Sequence, residues 1–233
     1  MNKELFIEEL KKININPTPK QLEQLEKYYE ILVSENKKYN LTAITNKEDV
    51  YLKHFYDSIT ITKIIDLNNQ SLCDIGTGAG FPGIVLKIFF PNLSITLVDS
   101  TLKKCKFLEF VIKELGLNNI KVLNKRAEEF SKEVREEFDI VTSRAVAPLK
   151  HLLEYSIPLL KVNGLYVAMK SDIEKEMEGI SIYENKLSIK EEKIIKFILP
   201  LENSLRTLVL YKKLKPTNLI YPRKYNEIKK KSL

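Results

Sequence analysis

The sequence predicts an α/β protein: a seven-stranded, mostly parallel sheet with helices on both faces, an antiparallel hairpin at one edge, and a helical segment ahead of it. Three observations predict it. First, Ser71–Gly83 (SLCDIGTGAGFPG) runs from a short apolar stretch into four glycines, and a helical pattern, Pro82–Phe90, follows at once. That order gives a strand, a tight turn and a helix start. Second, short apolar runs alternate with helical patterns from Ser71 to Met169, which argues for parallel strands joined by helices. Third, Lys193–Leu199 and Arg206–Lys212 read as strands joined by a loop too short for a crossover, so they pair antiparallel.

Residues 1–65 read as a helical cap. Thr18-Pro19-Lys20-Gln21 is a capping box with proline in the first helical turn. Leu22, Leu25, Tyr29 and Leu32 then recur along one face of a helix that runs to about Lys37. Glu35–Thr45 (ENKKYNLTAIT) interrupts the pattern, and a second helix, Lys47–Ile65, carries His54 and Asp57 on one face. Residues 66–215 form the sheet domain. Its parallel strands fall at Ser71–Ile75, Ser94–Asp99, Ile120–Leu123, Phe138–Ser143 and Gly164–Met169. Helices fall at Leu102–Leu115, through Arg126–Phe130, and from about Pro148 to Leu160. Ser100 or Thr101 caps the first of these and Gly116 ends it. Residues 216–233 are left as a tail.

Composition narrows the class. A chain of 233 residues, 44% hydrophobic and 30% charged, can bury a sizeable core. It has no apolar run long enough to span a bilayer and no apolar signal core behind Lys3, so a cytoplasmic protein that does not meet membranes is expected. The two cysteines, Cys73 and Cys105, read as buried thiols rather than a disulfide framework. The net charge is +7, and from Lys212 onward eight basic residues face one acid, Glu227. The excess therefore lies wholly at the C-terminal end, which suggests an anionic partner, nucleic acid before membrane.

The glycines fit two patterns. Gly78, Gly80 and Gly83 match G-x-G-x-x-G, the dinucleotide fingerprint of an NAD-type oxidoreductase. Asp74, Gly76, Gly78 and Gly80 match D-x-G-x-G-x-G, associated with enzymes that use S-adenosylmethionine (SAM). Both put a nucleotide-like ligand at the C-terminal end of the first strand. Asp99 ends the second strand, where its carboxylate can accept both ribose hydroxyls in either enzyme or cap the helix that follows. Asp74 suits the ammonium of SAM. Ala127 and Glu128 follow the third strand, where an adenine edge would sit. Arg144, at the end of the fourth, can clamp a phosphate or stack on a base. The closing hairpin favours the class I SAM-dependent methyltransferase (Rossmann-like) fold, because a dinucleotide domain more often ends in a further parallel strand. After the fourth strand there is no Asp/Asn-Pro-Pro-aromatic segment and no cysteine. That disfavours transfer to an exocyclic amine or through a pyrimidine adduct, and leaves a ring nitrogen, which needs only alignment.

The motifs ENKKYNLT (Glu35–Thr42), HFYDS (His54–Ser58), DIGTGAGFPG (Asp74–Gly83), LVDSTLKK (Leu97–Lys104), RAEEF (Arg126–Phe130), VTSRAVAPL (Val141–Leu149), Met169-Lys170 and YPRK (Tyr221–Lys224) occur in this order over nearly the whole chain. In this the sequence resembles the RsmG (GidB) family, ribosomal RNA small-subunit methyltransferase G. The resemblance implies methylation of guanine N7 in 16S rRNA, with the small ribosomal subunit or its assembly intermediate as partner. It implies SAM contacts from Gly76, Phe81, Ala127, Glu128 and Arg144, beside Asp74, Gly78, Gly80 and Asp99. Asn40, His54, Lys170, Arg223 and Lys224 are the RNA-facing candidates. No catalytic acid or base and no metal is expected, and the protein is expected to be a monomer. A non-enzymatic RNA-binding protein remains the other alternative. After YPRK the family usually has Ala-Gly, whereas this chain has Tyr225-Asn226.

Overall fold

Leu72, Cys73, Asp74 and Ile75 are all buried because β1 (Ser71–Ile75) lies inside the sheet, between two parallel neighbours. The computed structural model of the chain describes residues 1–231 and 233. On one side of β1 lie β2 (Ser94–Asp99) and β3 (Ile120–Asn124); on the other lie β4 (Phe138–Arg144) and β5 (Leu160–Lys170). β7 (Leu205–Lys213) runs antiparallel to β5, and β6 (Ile189–Ile198) closes the edge antiparallel to β7. The strand order is β3-β2-β1-β4-β5-β7-β6, and the sheet is seven-stranded and mostly parallel with its antiparallel hairpin at one edge, as predicted. Strand order reverses between β1 and β4, and a crevice opens at the carboxyl ends of strands at such a point.

Helices cover both faces. α5 (Gly83–Phe89) and α6 (Leu102–Glu114) lie on one face, and α7 (Ala127–Glu133), α8 (Leu149–Ser156) and α10 (Ile180–Leu187) on the other. The N-terminal helix α2 (Pro19–Tyr39) packs outside α5 and α6, while α1 (Lys3–Lys12) packs against Tyr51–Tyr56, and their Phe6, Leu10, Leu25, Tyr28 and Leu32 share one core with β1 and α5. The capping box is formed: Gln21 N donates to Thr18 Oγ1 (3.3 Å) and Thr18 N to Gln21 Oε1 (2.8 Å). The same Gln21 amide donates to the carbonyls of Ile88 and Phe89 at the end of α5 (3.1 and 3.2 Å), while Gln24 donates to Leu115 O beyond α6 (2.9 Å). One helix thus satisfies the orphan carbonyls of two others.

The predicted helix Lys47–Ile65 is a composite. It comprises α3 (Lys47–Val50), a π-helical turn (Tyr51–Tyr56), α4 (Asp57–Ile59) and a 3₁₀ turn (Thr60–Lys63). Single π turns inside helices recur at functional sites. α9 (Glu174–Met177) and α10 were not foreseen. The tail folds back on the body. Arg135 donates to Tyr221 O and Thr217 O (2.7 Å each), Tyr221 is buried, and residues Tyr225–Lys230 form α11 with Ile228 in contact with the body. The segment is thus strapped to the sheet domain as far as α11. No helix among the described residues is long and apolar enough to cross a membrane.

Candidate active site

A cavity of about 1090 Å³ opens over the carboxyl ends of β1, β2, β4 and β5. That is just above the range for small-molecule sites, roughly 300–1,000 Å³. Its floor is the loop after β1. Gly76 N and Thr77 N both donate to Val98 O (2.8 and 3.2 Å), which fixes the loop to β2. Gly78 lies at φ +63°, and a Cβ there would meet nothing closer than Gly76 O at 3.9 Å. Gly83 differs: a Cβ would stand 2.2 Å from the Leu97 side chain and 2.9 Å from Asp74 Oδ2. Gly78 therefore leaves room beside the cavity, whereas Gly83 allows α5 to approach the sheet.

Asp74 takes a different place from the predicted one. It is fully buried outside the cavity lining, and its Oδ2 accepts from Thr77 Oγ1 (2.6 Å) and Gly83 N (2.9 Å). Burial raises its carboxyl to about 6, and Oδ1 has no partner among the described residues. Its work is to shape the glycine turn. Gly80, also expected at the ligand, faces Tyr28 and Ile84 instead, and Tyr28 donates to Ala79 O. Asp99 is where the pattern put it. Its Oδ2 accepts from Gly78 N (3.0 Å) and its Oδ1 from Thr101 N (2.8 Å), so it both braces the glycine turn and orders the backbone leading into α6, whose N-cap, Thr101, makes no side-chain capping bond; lone pairs are left over at the cavity. Ala127 and Glu128 open α7 on the same side, and Arg126 Nε donates to Glu128 Oε1 (2.6 Å).

The opposite end is built around Asp57. Arg144 Nη1 donates to Asp57 Oδ2 (3.1 Å) and to Lys53 O (2.9 Å), and Arg206 Nε donates to Asp57 Oδ1 (3.1 Å). The carboxylate is 5% exposed and bridges β4, α4 and β7. Arg144 Nη2 donates to His54 Nδ1 (3.3 Å), which leaves the ring proton on Nε2 to donate to Thr42 Oγ1 (3.0 Å). His54 stacks on Phe81 with ring centroids 4.4 Å apart. Burial, reinforced by the Arg144 charge, lowers the His54 pKa to about 3, so the imidazole is neutral at physiological pH. The His54–Asp57 pair on one helix face is thus an anchor for Arg144.

Of the RNA-facing candidates, His54 and Lys170 reach the cavity; Asn40, Arg223 and Lys224 do not line it. Asn40 is the exposed left-handed C-cap of α2, and its neighbour Asn36 orders the loop, accepting from Leu41 N and Thr42 N (2.6 and 2.9 Å). Lys170 pairs with Glu176 (2.8 Å) and donates to Ala147 O (2.9 Å), so it steadies the loop after β4. Arg223 is held by Glu154, itself fully buried, through Nε and Nη2 (2.8 Å each). That bidentate pair removes it from the expected set of free RNA-facing cations. Lys224 is exposed. Arg206, Asn36 and Tyr225 were not singled out for the site. Arg206 is a lone arginine on a strand, 149 residues from its partner, and nothing local marks it. Eight basic and four acidic side chains line the cavity, a balance suited to an anionic ligand.

The family model described as rRNA small subunit methyltransferase G (GidB) matches residues 21–205. A protein of that name from Bacillus subtilis is 47% identical over 228 residues, covering 96% of this chain and 95% of the relative. Another from Mycoplasma capricolum subsp. capricolum is 47% identical over 212 residues, 90% of each chain. Among solved structures, a SAM-dependent methyltransferase from Aquifex aeolicus superposes with TM-score 0.55 at 13% identity, covering 77% of this chain and 97% of that one. M. jannaschii TYW2 in complex with AdoMet gives 0.54 at 18% identity, over 67% of this chain and 74% of that one. At such identities the superpositions speak to the fold.

Proposed function

The chain belongs to the GidB family, rRNA small subunit methyltransferase G, and from that membership we propose that it transfers the methyl group of SAM to N7 of a guanine in 16S rRNA. The small ribosomal subunit or its assembly intermediate is the partner. The observation that carries the reading is one cavity with two unlike ends: a glycine turn braced by Asp99, and a cationic wall of Arg144 and Arg206 held on Asp57. The protein acts on its partner as a monomer in this reading.

The residues at the first end fit SAM. The space above Gly78 that a side chain would fill is the room a close-lying ligand needs. Asp99 would accept the ribose hydroxyls with its remaining lone pairs, and Ala127 and Glu128 would meet the adenine edge. When bound, SAM supplies a methyl group made electrophilic by its sulfonium. Guanine N7 offers a lone pair and carries no proton, so the chain is asked for alignment rather than for a base. His54, kept neutral beside Arg144, matches that demand. Arg144 and Arg206, oriented by their shared carboxylate, would hold the phosphate or base edge of the acceptor.

The test is to incubate small subunits lacking the modification with the protein and methyl-labelled SAM, and then to map the labelled base. One labelled guanine, modified at N7, is the expected result. Label on another atom, or no label, overturns the reading.

A further inference from the structure

α11 places one aromatic ring at the first end of the cavity. Upstream, Arg223 clasps Glu154 with its backbone N as well as its guanidinium (2.8 Å each), and within α11 Ile228 is 2% exposed. These two anchors bring the Tyr225 ring over Arg126, with the guanidinium carbon 4.5 Å from the ring centroid. Arg126 in turn holds Glu128. A continuous stack therefore runs from the C-terminal helix, through Arg126, to the first turn of α7. Tyr225 and Tyr155 both line the cavity there; Tyr155 is buried and Tyr225 is 40% exposed.

Resting on the SAM reading above, we propose that Tyr225 is the outer wall of the cofactor's base end: its ring, held by Arg126, packs against the adenine, and the C-terminal helix thereby completes the SAM pocket. An aromatic face takes a purine by stacking, and a guanidinium on the ring edge or face fixes its orientation. The stack also explains why a tyrosine that is two-fifths exposed lies against a cavity wall instead of extending into solvent. Binding of SAM and docking of α11 are then one linked equilibrium, each favouring the other.

Calorimetric titration of the full-length protein and of Tyr225→Ala and Tyr225→Phe tests this with two probes, SAM and methylthioadenosine, which keeps the adenine and ribose but lacks the amino-acid end. Tyr225→Ala should weaken both by a similar factor, about tenfold. Tyr225→Phe should stay within about twofold, because the ring rather than the hydroxyl makes the wall. A melting curve of each ligand-free variant reports whether α11 and the body remain folded. The proposal falls if Tyr225→Ala binds both probes like the parent, if only SAM is affected, or if Tyr225→Phe loses as much as Tyr225→Ala. Unchanged SAM affinity with weakened RNA binding would overturn it in favour of an RNA-stacking role. A parent protein that binds neither probe would instead overturn the SAM reading on which the proposal rests.

Discussion

Asp57 decides how the acceptor end is built. With one carboxylate between two guanidinium groups, Asp57→Ala leaves two cations facing each other with no counter-charge. Breaking such a buried pair costs about 3–5 kcal/mol, and partial exposure of the arginines brings this to about 2–4. Methyl transfer should fall sharply while SAM affinity, which the proposed function places at the glycine turn, changes little; activity assays and calorimetry read the two separately, and chemical denaturation reads the stability. The glycines separate in the same way. Gly78→Ala enters open space at positive φ, so about 1–2 kcal/mol of backbone strain and a loss of SAM binding with the fold retained are expected. Gly83→Ala collides with Leu97 and Asp74 and should unfold the protein well below the melting temperature of the parent. His54 carries a pH signature. Its folded pKa of about 3 lies below the unfolded value of 6.5, so the unfolded chain binds a proton that the native state refuses. Its contribution is full above pH 6.5 and is lost as pH falls from there towards 3. Asp74, raised to about 6, has the opposite sign between pH 3.8 and 6, so a difference measurement is needed. Compared with the parent, His54→Gln should lose about 2–3 kcal/mol less between pH 7 and pH 4.5. The methyl-transfer rate at saturating substrate should show no inflection near pH 6.5; one that disappears in His54→Gln would make the imidazole a proton acceptor after all.

Helix α2 acts as a shared end-cap. Gln21→Ala removes donors from Ile88 O and Phe89 O and also opens the capping box of α2, and about 1–2 kcal/mol of stability should go with it. SAM affinity should hold, because α5 is tied to the glycine turn from its other end; a parallel loss of both would show that the cap tunes the site. At this scale the sequence was most informative where one local rule sufficed. β1 and β2 lie where their apolar runs placed them, because strands buried on both faces read as uninterrupted hydrophobic segments. α10 was missed because it is short, and its Ile180, Tyr183 and Leu187 show their purpose only against α8 and β6. Asp99 was legible from its distance past the glycines. Asp74 was misplaced because pattern alone does not say which way a carboxylate turns beneath a glycine loop. The Arg206–Asp57 pair was invisible for a related reason: it exists only once β7 lies antiparallel beside β5.

Over the whole molecule the net charge stays +7, but fewer of the C-terminal cations are free than composition suggests. Of the eight basic residues from Lys212 onward, Lys213 is buried against Ile157 O, Leu160 O and Glu136, and Arg223 is clasped by Glu154. Lys230 and Lys231 stay exposed. Replacing both with glutamine should make the plot of log K for RNA against log salt shallower by roughly 1.4–1.8, the share of two phosphate contacts, with SAM affinity intact. An unaltered slope would identify them as a solvated end. Arg223→Gln should instead lower the melting temperature, since it leaves a fully buried carboxylate without its partner. The end-capping by α2 has a further consequence, in time rather than in space. Gln24 is synthesised 91 residues before the Leu115 carbonyl it serves. At roughly 5–20 residues per second, α2 waits on the order of 5–20 s outside the ribosome before its partner exists. Through that interval Leu25, Tyr28 and Leu32, all fully buried at the end, lack the full cover that α5 and α6 give them. A nascent chain of this protein therefore carries a sticky amphipathic helix at its leading end until α6 emerges, and that stage is where a chaperone has most to hold.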